Sequence, residues 1–175
     1  MDLLHRRRRV EEESRVGDVR TVAAGPDDWK SWREIRLRSL RQDPDAFGST
    51  YEREAAFTEQ TWRSRLDGTS GPSVLAYAGN EVVGIGAGWL HEPGRLMVVA
   101  MWTAPDRRGK GIGRQVLDHL IGWAGERGLL VDLWVADGNP GARRLYERHG
   151  FRPDGRTAPI REGSEATMTH LALPD

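Results

Sequence analysis

The chain has 175 residues, a formal net charge of +0, 38% hydrophobic and 30% charged residues, and no cysteine. That length suits a single globular domain with one sizeable core, and neutrality argues against a general binder of nucleic acid or membrane, which needs a basic excess. The missing cysteine excludes disulfides, thiolate metal ligands and a cysteine nucleophile, and it fits a reducing, cytoplasmic setting.

At the N-terminus Arg6, Arg7, Arg8 and Arg9 stand beside Glu11, Glu12 and Glu13. The acidic run cancels most of the basic field, so residues 1–16 read as a solvated tail and 17–175 as the folded domain. The tail has no apolar stretch fit for a secretion signal, and no segment approaches the roughly 20 apolar residues that span a bilayer.

Val19 to Gly25 reads as a first strand. Pro26-Asp27-Asp28 then opens a helix in which Trp29, Trp32, Ile35, Leu37 and Leu40 keep a roughly helical spacing up to Asp43-Pro44. A loop leads to a second helical stretch, and Thr58 caps a third from Glu59 to Leu66. Residues 73–90 form two strands that turn at Gly79-Asn80. In the second of them Val83, Ile85, Ala87 and Trp89 alternate with Gly84, Gly86 and Gly88. One face is therefore almost bare, open to a packed helix or to a ligand.

After His91-Glu92-Pro93-Gly94, Arg95 to Thr103 makes a third strand. A helix from Gly113 to about Arg127 puts Val116, Leu117, Leu120, Ile121 and Ala124 on one side. Residues 129–135 form the next strand. The helix ending at His149 has Asn139 at its N-cap, Pro140 in first position and Gly150 as its C-terminal stop. Residues 151–160 and 166–173 supply two closing strands. The order gives a mixed α+β or α/β layer architecture and excludes a uniform βαβ winding.

Between the third strand and its helix, Gly109, Gly111 and Gly113 alternate among Arg107, Arg108, Lys110 and Arg114. Backbone N–H groups, a helix N-terminus and local positive charge together suit a pyrophosphate. A Walker loop needs Lys followed by Ser or Thr, but Lys110 precedes Gly111. A Rossmann turn needs a third glycine that is missing here, and it opens a parallel unit where this loop follows an antiparallel meander.

The acyl-CoA pattern [RQ]-x-x-G-x-[GA] fits Arg108 to Gly113 in full, and N-P-x-A-x-x-L-Y-x-x-x-G-F follows from Asn139 to Phe151. On these two regions the chain resembles the GNAT superfamily of acyl-CoA-dependent N-acetyltransferases. The resemblance implies a single domain with a mostly antiparallel sheet, a parallel strand pair at the cofactor site and flanking helices. It implies that Arg108, Gly109, Lys110, Gly111, Ile112, Gly113 and Arg114 bind the pyrophosphate of acetyl-CoA. It further implies that Met101, Trp102 and Thr103 pair with the pantetheine arm and hold the thioester carbonyl, where N–H groups stabilise an oxyanion. Asn139 would bond the pantetheine, although an N-cap explains the same residue. Tyr146, two helical turns on and on the same face, would protonate the departing thiolate; packing against the sheet is the alternative role.

No metal is implied, since five scattered histidines lack ligand spacing. The implied reaction moves an acetyl group to a primary amine, on a small molecule or a peptide N-terminus, by direct attack in a ternary complex. An acyl-CoA-binding sensor without catalysis is the other reading, favoured by the absence of a carboxylate from residues 95–101. The base is left open among Glu52, Glu54, His91, Glu92, Asp132 and Asp137. Residues 38–57 and the loop at 91–94 would form the acceptor pocket, with Phe47, Tyr51 and Trp89 as lining candidates. Homodimerisation is also open: seven tryptophans could supply an interface patch, while burial is the ordinary fate of such residues.

Overall fold

A computed structural model of the chain describes residues 18–175; the basic and acidic tail lies outside the described residues. The elements in chain order are β1 (Val19–Ala23), α1 (Trp29–Gln42), α2 (Tyr51–Ala55), α3 (Glu59–Arg65), β2 (Ser73–Ala78), β3 (Glu81–Glu92), β4 (Arg95–Thr103), α4 (Ile112–Gly125), β5 (Leu130–Ala136), α5 (Pro140–Arg148), β6 (Arg152–Pro159) and β7 (Thr167–Ala172). The strands form one seven-stranded sheet in the order β1-β2-β3-β4-β5-β7-β6. Every neighbouring pair is antiparallel except β4 and β5.

The fold is thus a mixed α/β single sheet with helices on both faces. On one face α4 and α5 cover Val74, Val83, Leu96, Val98, Val131, Leu133 and Leu171. On the other, α1 and α3 bring Trp32, Ile35, Leu40 and Trp62 onto Leu75, Ile85, Ala87 and Trp102. Period-two alternation along β5 sends Val131, Leu133 and Val135 to the first face, and so Asp132 and Trp134 to the second. Trp62, fully buried, meets the Phe57 ring edge-on at 5.5 Å.

Local chemistry sets the element ends. The Thr58 hydroxyl accepts from Thr61 N–H at 3.2 Å and starts α3. The strand after the first hairpin runs on to Glu92, past Leu90, because Gly94 (φ +78°) lets Glu92 and Arg95 pair across a tight turn. The bare face of β3 is filled by packing. A Cβ on Gly84 would stand 2.9 Å from Ile112 Cγ2, and one on Gly86 would stand 2.5 Å from Val116 Cγ1 and 2.6 Å from Met101 Sδ. Close approach of α4 and β4, not of a ligand, is what these glycines permit.

Among the described residues no helix is long and apolar enough to cross a membrane.

Candidate functional site

The parallel ladder between β4 and β5 runs from Arg95↔Leu130 to Val98↔Leu133 and stops there. Beyond it Trp134 to Ala136 pair only with β7, and β4 continues against β3 alone. The two strands therefore part, and among the described residues the β4 edge from Val99 to Thr103 has no partner strand on the β5 side. A bulge sharpens the parting. Ala87 pairs with Val99 but Ile85 with Trp102, so β4 carries one extra residue, and Ala100 takes φ +57°. Met101, Trp102 and Thr103 lie just past this bulge. The Met101 side chain packs toward α4 and the buried Trp102 toward α1, so the backbone is the part of this segment presented at the gap.

The glycine loop closes the open end. After the turn Pro105–Arg107, Gly109 (φ +75°) and Gly111 (φ +81°) adopt left-handed conformations that only glycine takes without strain. A Cβ at either would meet nothing within 4 Å, so open space adjoins both. The first helical bond of α4 that reaches back to the loop runs from Gln115 N–H to Gly111 C=O at 3.1 Å. The N–H groups of Ile112, Gly113 and Arg114 come before it, and no acidic residue occupies the first turn of α4. This donor set, with empty space before it, fits a diphosphate.

The residues of the loop have separate jobs. The Arg108 guanidinium donates to Thr103 C=O at 3.0 Å and to Asp43 Oδ2 at 2.8 Å, and that same carboxylate oxygen accepts from Trp102 Nε1 at 2.7 Å. Its charge is thus partly spent within the protein, fastening the loop to the end of α1. Lys110 stays exposed with its ammonium 3.5 Å from Asp106 C=O. Arg114 is exposed, 3.8 Å from Asp118. Arg107 pairs with Glu81 at 3.0 Å, outside the cup. Ile112 is buried under β3. At Gly113 a Cβ would come within 3.2 Å of Leu145 Cδ2, so this glycine seats α5 against the start of α4.

Asn139 caps α5 through Oδ1, accepting from Ala142 N–H at 3.1 Å, and is otherwise exposed. Capping uses one oxygen lone pair and leaves the two amide hydrogens for a ligand. Tyr146 is 6% exposed and meets the Phe151 ring edge-on at 6.0 Å. Burial pushes its phenol above the ordinary value of 10, so it is a proton donor at neutral pH.

The structure sorts the candidate bases. Glu54 is held by Arg36 in two 2.9 Å hydrogen bonds and is fully buried, so it ties α2 to α1. Burial works to raise its pKa, but the Arg36 hydrogen bonds and charge leave it lowered. Asp137 accepts from Thr167 at 2.5 Å and Thr169 at 2.6 Å, which lowers its pKa. Glu52 is exposed on α2. His91, Glu92 and Asp132 come together at the closed end of the β4–β5 pair. Of the lining candidates, Phe47 is buried beneath Arg36, Tyr51 bonds Arg41, and Trp89 is 49% exposed.

Asp43 and Ala100 were not visible in advance. Asp43 reads as an ordinary helix stop, and its partners lie 59 and 65 residues away. A positive φ at alanine leaves no mark in sequence.

The sheet thus splits beside a glycine-lined run of backbone N–H groups. The Acetyltransferase (GNAT) family model matches residues 29–151, and the chain belongs to that family. It is 27% identical over 140 residues to the mycothiol acetyltransferase of Beutenbergia cavernae, covering 77% of this chain and 45% of that protein. It is 36% identical over 78 residues to the streptothricin acetyltransferase of Streptomyces lavendulae, covering 43% and 41%. The chain thus spans less than half the length of both curated relatives. Among solved structures it is similar to yncA of Salmonella typhimurium with its cofactor acetyl-CoA, with TM-score 0.74, 17% identity, and coverage of 91% and 99%.

Proposed function

We propose that the protein is an N-acetyltransferase that moves the acetyl group of acetyl-CoA to a primary amine by direct attack within a ternary complex. One observation carries this reading: the amide cup from Gly109 to Arg114 opens beside the unpaired edge of β4, where the sheet splits. In the proposal Gly109, Lys110, Gly111, Ile112, Gly113 and Arg114 hold the diphosphate through backbone N–H groups, with Lys110 and Arg114 adding charge and Arg108 bracing the loop. Met101, Trp102 and Thr103 offer backbone to the pantetheine arm, and Asn139 offers its amide. Bound acetyl-CoA would supply the activated acyl group. Tyr146 holds a proton for the leaving sulfur.

The acceptor side is the face of the sheet that bears α1 to α3. Its rim is braced by Arg161, which donates to Pro44 C=O at 3.0 Å and Phe47 C=O at 2.9 Å. By name the relatives are a mycothiol acetyltransferase and a streptothricin acetyltransferase, which favours a small-molecule amine over a peptide N-terminus. No metal takes part in the proposed reaction, and the setting is the cytoplasm.

The test is calorimetry with acetyl-CoA, followed by thiol release against a panel of amino sugars, polyamines, amino-thiol conjugates and N-terminal peptides. Binding with amine-dependent release is the expected result. Binding without release toward any amine supports a sensor instead, and preference for ATP or NAD over acetyl-CoA overturns the reading.

A further inference from the structure

A cluster of ionisable side chains at the closed end of the β4–β5 pair holds three of the candidate bases, His91, Glu92 and Asp132. Asp132 is 1% exposed and stands directly across the parallel ladder from Met97, one step before the last pair, Val98↔Leu133. Both side chains belong to the face that bears α1 to α3. Met97 is four residues before Met101, and residues 95–101 of β4 contain no carboxylate of their own.

Three cations or potential cations face Asp132. Arg95 of β4 lies 3.4 Å from Oδ2, His91 of β3 lies 3.4 Å from Oδ1 through Nε2, and His170 of β7 lies 3.6 Å from Oδ2. Glu92 stands 3.5 Å from His91 Nδ1. Asp154 of β6 is 2.7 Å from His170 Nδ1 and is held below the usual carboxylate range, chiefly by Arg156. Arg156 lies over both, 2.9 Å from that nitrogen. His170 is thus engaged by Asp154 and Arg156.

His91 and Asp132 differ. Among the described residues Asp132 Oδ1 and His91 Nε2 are both buried with no hydrogen-bond partner, and they stand 3.4 Å apart. Buried polar atoms are satisfied as a rule, and exceptions concentrate where a site has work to do. The His91 side chain is 12% exposed, so the pair reaches solvent on that side. Trp89, 49% exposed, lies 5.8 Å from the His91 ring.

We infer that His91 and Asp132 together accept the proton that the acceptor amine must lose, an inference that rests on the acetyltransferase reading. The amine arrives as an ammonium ion, and its nitrogen has no free electron pair until that proton goes. The proton passes through water to the pair, which takes it up as one unit, and from there to solvent.

Two variants test this. Asp132→Asn and His91→Gln keep shape and remove proton affinity. Each is expected to lower kcat about 10²-fold at pH 7 with KM for acetyl-CoA changed less than about two-fold, and to abolish or displace the acid limb of the kcat profile. Asp132→Glu should restore part of the rate. Should Asp132→Asn fail to fold, the pH profile of His91→Gln, a change at the cluster's outer edge, decides. An active wild type with an unaltered rate or an unaltered acid limb in the variants overturns the pair alone. A wild type inert toward all amines overturns the acetyltransferase reading and this inference with it.

Discussion

Tyr146 combines a phenol kept protonated by burial with a hydroxyl that no hydrogen bond holds among the described residues. Its replacement by Phe removes a proton but little packing. We expect Tyr146→Phe to lower turnover by about 10²-fold while moving the melting temperature by no more than about 2 °C. Unchanged turnover, with chemistry shown to be rate-limiting, would exclude the residue from the reaction. The motif that singled out Tyr146 and Asn139 was legible because both lie on one short helix, at a spacing that helix geometry sets. The part played by Asp43 was not. Its carboxylate joins Trp102 and Arg108, residues far along the chain, and so braces the side chain of the loop arginine.

At the level of elements, the glycine pattern of β3 had two readings, and packing selected one. Gly86 faces Val116, Met101 and Leu120. Gly86→Val should destabilise the fold by about 1–3 kcal/mol through overpacking and weaken acetyl-CoA binding only as far as β4 is displaced. Urea unfolding measures the first and calorimetry the second; an unchanged midpoint would mean that α4 does not lie on this stripe. The loop glycines divide in the same way. Gly109 and Gly111 take positive φ, whereas Gly113 serves contact between α4 and α5. The bulge at Ala100 was illegible, because it arises from a register mismatch between β3 and β4.

Across the whole molecule, the helices on the α1 face are fastened by a buried ion pair. Arg36 and Glu54 are 9% and 2% exposed at their side chains, and Arg36 also lies over the Phe47 ring at 4.7 Å. The pKa of Glu54 is lowered from 4.5, as is that of Asp137 from 3.8. A carboxylate with a depressed folded pKa stabilises the protein above its unfolded value and loses that contribution as pH falls through the folded value. Urea midpoints should therefore be flat from pH 7 to about pH 5 and fall below about pH 4. Glu54→Gln, which strands the Arg36 charge, should cost on the order of 3 kcal/mol at pH 7 and less at pH 3. A variant as stable as wild type at pH 7 would show that the pair contributes nothing net. By itself the sequence determined the order of elements, the caps, the glycine loop between β4 and α4 and the family resemblance, because each depends on residues near one another along the chain, where helix and strand periods apply. Only the tertiary structure decided where the sheet splits, which glycines pack, which carboxylates are already committed, and that β5 sets Asp132 beside His91. Those outcomes depend on strand register and helix docking between distant segments, which no local spacing encodes.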